Sequence, residues 1–161
     1  MFKGTSASAG IGIGKAVIVE EAELVITRNE VADAEAEIQR FKGALEKTIA
    51  ATQKMADDLA SRVGEKEAEI MQGHMMLLSD PMLTGEIENS VKNDKVNCEF
   101  AIENVCNMYA DMFASMGDEL MQQRATDMRD IKVRMQRTLM GLESVDVSLL
   151  PKGSILVAKD L

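Results

Sequence analysis

No tryptophan occurs in this sequence, and one tyrosine with four phenylalanines brings the aromatic share to only 3% of 161 residues. Ala, Leu and 13 methionines must fill the interior instead, which favours a helical bundle over a sheet sandwich. His74 is the sole histidine. One imidazole on an apolar stripe cannot supply a Ser/His/Asp or Cys/His constellation. Cysteine is nearly absent as well. Cys98 and Cys106 lie eight apart on one expected helix, about 12 Å at the helical rise, too far for a disulfide. They show no CxxC spacing, so a zinc site is excluded. Positive charge is the scarcer sign, 18 Lys and Arg against 27 Asp and Glu. The formal charge of −9 repels nucleic acid and anionic membrane surfaces and suits a basic protein partner. No apolar run approaches the roughly 18 residues of a membrane span.

What is present describes a globular chain. Hydrophobic residues make up 46% and charged residues 28%, the balance of one folded domain, or one domain plus a fragment, with a sizeable core. The N-terminal Gly-interrupted run is broken by Lys15 and has no cleavage site, so it reads as neither signal peptide nor anchor, and the cytosol is the expected location. Gly10, Gly12 and Gly14 precede a strand-like run at Ala16 to Val19. They therefore suit turns better than a phosphate-cradling loop, which follows a strand and opens a helix. Leu24 to Thr27 reads as a second extended piece.

From about Asn29 the period changes to that of a helix. Val31, Ala34, Ile38, Phe41, Leu45, Thr48, Thr52, Met55 and Leu59 recur at steps of three and four, predicting a long helix to Val63 that Gly64 closes. A helix from Gly64 to Leu78 follows. Ser79 and Asp80 interrupt it, with Asp80 as N-cap and Pro81 opening the next helix, which runs to about Lys92. Asn97 caps a helix to Met116 whose apolar face is read as Phe100, Val105, Met108, Met112 and Met116, stopped by Gly117. A last helix spans roughly Asp118 to Met140 on the stripe Met121, Ala125, Met128, Ile131, Met135, Leu139 and Leu142. Val145 to Leu150 and Ile155 to Ala158, joined by a Pro151 to Gly153 turn, are extended. The order is strand, helices, strand. A contiguous helical bundle over 29–143 is thus expected as an insert between ends, 1–28 and 144–161, that meet in a mixed α/β subdomain.

The stretch Gly64 to Pro81 has two faces. At about 100° per residue, Ile70, Met71, His74, Leu77 and Leu78 fall in one core-facing arc. Opposite them Met76 projects among Glu65, Glu69 and Gln72. An apolar anchor in an acidic surround fits a partner offering an apolar spot rimmed by Lys or Arg. His74 is read as structural, with Asp127 on a facing helix as its partner. Glu65 with Glu69 and Asp57 with Asp58 are read as solvated pairs, and Arg124 as an ion-pair partner of Asp127.

GHMMLLSDP here, QRATDMRDI at Gln123 to Ile131, SASAGIGIGKAVI at Ser6 to Ile18 and ILVAKDL at Ile155 to Leu161 resemble enzyme I of the bacterial phosphoenolpyruvate-dependent sugar phosphotransferase system, in the family's order and spacing. The resemblance covers only the first part of the family's longer protein. It implies a helical domain that docks the phosphocarrier protein HPr, inserted in an incomplete α/β phosphohistidine domain. It also implies magnesium for the full-length enzyme and HPr contacts at Glu65, Glu69, Gln72, Met76, Leu77, Asp80 and Arg124. A segment like the family's GGxTSHxA is absent, so the chain is expected not to accept phosphate itself. Self-association through strand edges is also expected. The alternative is a stand-alone helical adaptor without catalysis.

Overall fold

A computed structural model describes residues 12–19, 24–142 and 154–158. The chain divides into two compact units, 1–23 with 144–161, and 24–143. In the first unit β1 (Lys15–Val19) and β2 (Ser154–Ala158) pair in parallel, Lys15 opposite Ser154 through Val19 opposite Ala158. The crossover between them is the whole helical unit. The expected extended piece at Val145 to Leu150 lies outside the described residues.

The second unit contains α1 (Ala34–Arg62), α2 (Glu65–Leu78), α3 (Pro81–Asp94), α4 (Cys98–Ser115) and α5 (Glu119–Leu139). The breaks sit where short polar residues cap orphan amides. Asp33 accepts from the Ala36 amide, Asp80 from Met82 and Asp118 from Leu120, each carboxylate facing the positive end of its helix. Gly117 and Gly141 take φ near +70°, a backbone that a side chain disfavours, and so end α4 and α5. Residues 29–33, expected to be helical, run extended instead. Glu30 bridges Val96, and Val31 donates to the Lys95 carbonyl at 2.8 Å.

One apolar cluster joins all five helices, with Phe41 and Ile38 from α1, Leu78 from α2, Ile87 from α3, Ile102 from α4 and Met128, Ile131 and Met135 from α5. The expected inward face of α4 holds for Val105, which is buried, and for Phe100, which packs partly buried on the core, but not for its methionines. Met108, Met112 and Met116 are exposed, and the buried stripe is Cys98, Ala101, Ile102, Val105, Cys106 and Ala110. Met112 and Met116 continue the buried stripe by angle, so they are exposed along the later turns of α4 and not on an opposite side. Met55 on α1 is also exposed. Among the described residues, no helix is long and apolar enough to cross a membrane.

A polar junction orders one end of the unit. Arg40 of α1 pairs with Glu99 of α4 and with Glu37, and donates to the Leu139 carbonyl. The Glu37 carboxylate accepts from the Cys98 amide at 2.9 Å, so a neighbouring helix caps α4. Asn97, in the N-cap position, accepts from no amide of α4 with its side chain. Its Oδ1 accepts from the Asn29 amide, and its Nδ2 donates to the Thr27 carbonyl and to Glu99. These bonds tie 24–29 to the helices.

Burial raises the Glu99 carboxyl, but the Arg40 hydrogen bond, the residue's own amide, the Arg40 charge and Asn97 outweigh it and hold it below the usual carboxylate range. Glu103 is likewise depressed: burial is outweighed by Gln136, Lys132 and Asn107. A depressed folded value gives stability that is full above the ordinary carboxylate value, about 4.3, and lost as pH falls through the folded one. Urea unfolding of wild type should therefore show a lower midpoint at pH 3 than at pH 7. Glu99→Gln should be less stable at pH 7 and lose less on acidification, whereas equal losses in both proteins would remove Glu99 from this role.

The two thiols are buried and unpaired. Burial pushes Cys98 well above the ordinary thiol value, helped by the Glu37 hydrogen bond, and pushes Cys106 up to about 12, with Lys132 opposing. Little thiolate exists near neutrality. Neither should react with an aromatic disulfide reagent at pH 8 until denaturant is added, and rapid native labelling would contradict this.

Candidate docking surface

The sequence of α2 sorts its side chains by angle. Ala68, His74, Leu77 and Leu78 point inward. Glu65, Glu69, Gln72 and Met76 share an exposed arc of about 60° on the other side, at about 100° per residue. Met76 is 69% exposed although apolar. The three polar neighbours make no hydrogen bond or ion pair among the described residues, so the two carboxylates face solvent without an internal cation.

Ile70 is corrected from core to surface, being 51% exposed, whereas Ala68 is buried. Leu77, expected both in the core stripe and at the docking face, is 7% exposed and belongs to the core. Asp80 is half-buried and spends Oδ1 on the Met82 amide at 2.9 Å. Asp57 accepts from Gln53, and it and Asp58 are exposed on α1.

Behind this face His74 locks α2 to α5. Its Nε2 lies 3.1 Å from Asp127 Oδ1, and Arg134 Nη1 lies 3.4 Å from Nδ1. A guanidinium only donates, so Nδ1 accepts and Nε2 carries the hydrogen toward Asp127. Arg134 also donates to Thr52 and to the Met55 sulfur, joining α1. Burial pulls the Arg134 guanidinium below its ordinary value, with the Asp130 charge opposing. The expected Arg124–Asp127 pair does not form. Asp127 Oδ1 already takes His74 and the Gln123 amide nitrogen at 3.1 Å, which leaves Arg124 Nε out of solvent without a hydrogen-bond partner. Arg124 is half-buried one turn before Asp127, on the helix that holds His74. The structure thus gathers Glu65, Glu69, Gln72 and Met76 on one face, with Asp80 at the end of α2 and Arg124 on α5.

Sequence reasoning missed the exposed Met82 and the α4 methionines, as well as the Arg40 and Arg134 junctions. The 98, 101, 102, 105 spacing of small apolar residues was the available signal for α4. Two clusters bring donor atoms within reach of one cation, Glu37 with Cys98 and Glu99, and His74 with Asp127 and Asp130. Arg40 already stands on the first and Arg134 on the second. Magnesium demands an octahedron of oxygens, so neither cluster fits the ion that the resemblance implies for the full-length enzyme.

The family described as PEP-utilising enzyme, N-terminal, matches residues 3–124. Phosphoenolpyruvate-protein phosphotransferase of Listeria monocytogenes is 38% identical over 160 residues, and that of Bacillus subtilis 36%. In both cases the match covers 99% of this chain and 28% of the relative. The chain therefore spans little more than a quarter of those proteins. A solution structure of Enzyme I superposes with a TM-score of 0.93 at 35% identity, over 100% of this chain and 66% of that one. The N-terminal domain of Enzyme 1 - Nitrogen shares the fold at a TM-score of 0.71 and 24% identity, covering 88% of this chain and 58% of that one. A bundle of five helices flanked by paired strand ends, matched along its whole length, thus belongs to the PEP-utilising enzyme N-terminal family, as an N-terminal portion of the enzyme I kind.

Proposed function

We propose that this chain is the docking portion of an enzyme I-type phosphotransferase of the cytosol and that it receives HPr on the exposed face of α2. The observation that supports this best is Met76, 69% exposed on the same face as two carboxylates that no internal cation neutralises. Folding gains little from such a side chain. A partner that buries it gains roughly 1.5–3 kcal/mol, while Glu65 and Glu69 attract a basic rim and set its orientation. Arg124 adds a cation with unused donor capacity at the junction with α5. Leu77 supports the face from beneath, as packing. The phosphoryl chemistry belongs to the longer protein: phosphate would pass from phosphoenolpyruvate to a histidine outside this chain and then to the docked carrier.

Met76→Asp should weaken HPr binding at least tenfold in a calorimetric titration while the helical circular dichroism stays unchanged. Unaltered affinity would move the docking site elsewhere. Chemical shifts confined to α1 on addition of HPr would do the same.

His74 should take no phosphate. It is 3% exposed, and both ring nitrogens are engaged. A phosphoryl group there would carry the desolvation cost of a buried anion, several kcal/mol without a dedicated cradle. Incubation with labelled phosphoenolpyruvate and magnesium should leave the chain unlabelled. Acid-labile label on His74 would reopen it as an acceptor.

A further inference from the structure

The sulfur atoms of this chain fall into two classes with opposite chemistry. Cys98 and Cys106 are 0% and 1% exposed, and burial keeps them as thiols. The thiolate is the form that attacks peroxide, so the cysteines are poor oxidation targets. Several thioethers, by contrast, lie at the surface: Met76, Met82, Met108, Met112 and Met116, the first two at 69% and 71% exposure. A thioether needs no deprotonation to react, and its access to the oxidant sets its rate. Met128 and Met135, each 1% exposed, are built-in unreactive controls.

We propose that Met76 is a reversible oxidation site at which a hydroperoxide switches docking off. The inference rests on the docking reading above. A lone pair of Sδ attacks the outer peroxide oxygen and the O–O bond breaks. The sulfur gains that oxygen, and the remaining oxygen leaves as water or alcohol after taking up the proton. The thioether loses two electrons and the hydroperoxide gains them, so no further reactant is needed. The product is a polar, chiral sulfoxide. At the end of the face it holds water that an apolar pocket must strip, and it adds a partial negative charge to the side of α2 that carries Glu65 and Glu69. The helix itself is indifferent: Met76 packs on nothing the core requires, and the exposed Gln72 amide one turn away can donate to the new oxygen. Folding therefore survives what docking does not. A thiol-dependent sulfoxide reductase restores the thioether.

The test treats wild type and Met76→Leu with hydrogen peroxide, maps oxygen addition by peptide mass spectrometry and titrates each protein with HPr before and after. Met76→Leu keeps the apolar anchor and cannot form a sulfoxide. Expected are oxygen on Met76 but not on Met128 or Met135, about a tenfold loss of affinity in wild type, recovery after sulfoxide reductase, and no loss in Met76→Leu. Undiminished affinity of wild type oxidised at Met76, or an equal loss in Met76→Leu, overturns the proposal. The untreated Met76→Asp titration separates the two ideas: full affinity there sinks the docking face itself, whereas weakened binding with peroxide-insensitive wild type sinks only the switch.

Discussion

Arg40 reaches from α1 to Glu99 on α4 and to the Leu139 carbonyl that ends α5, so one guanidinium joins three helices remote in sequence. An ion pair of this kind adds little net stability once desolvation is counted, yet removing one partner strands the other. Its value lies in geometry. The planar fork accepts few arrangements, and around it the chain fixes the start of α4: Glu37 caps the Cys98 amide, and Asn97 holds 24–29 against the helix. The apolar cluster could slide by a turn at modest cost. The junction cannot, and it fixes the start of α4 against α1.

Some way along α1 a second polar cluster does for α2 what Arg40 does for α4. Arg134 links Thr52 to His74, and His74 links Arg134 to Asp127, so α2 is held against both α1 and α5 through a single imidazole. The interior claims one side of α2 and leaves the other without packing duties. That division permits a surface methionine. The same residue type that plugs the core at 128 and 135 serves at 76 as a soft, adaptable anchor.

Much of this was legible in the sequence because capping and periodicity are local. Asp80 before Pro81, Gly117 and Gly141 each declare a boundary through backbone chemistry that needs no partner, and the α1 and α5 stripes describe themselves. The face of α4 was legible only in part. Its methionines and its small residues both recur at helical spacing, and hydrophobicity favours the larger set. Which of these residues is covered is decided by the neighbouring helices and not by α4 itself. The Arg124–Asp127 expectation failed for a related reason: sequence spacing shows which side chains can meet along one helix but not that His74, 53 positions away, already holds the carboxylate. The exposed face of α2 was legible because an apolar residue inside an acidic arc contradicts its own helix.

The parallel pairing of β1 with β2 also governs time. The whole helical unit separates the two strands in sequence, and closing so long an unstructured loop is entropically slow. The intervening helices form from nearby segments and need neither strand. By compacting locally they shorten the effective tether, so the pairing of β1 with β2 costs less loop entropy once the bundle has formed.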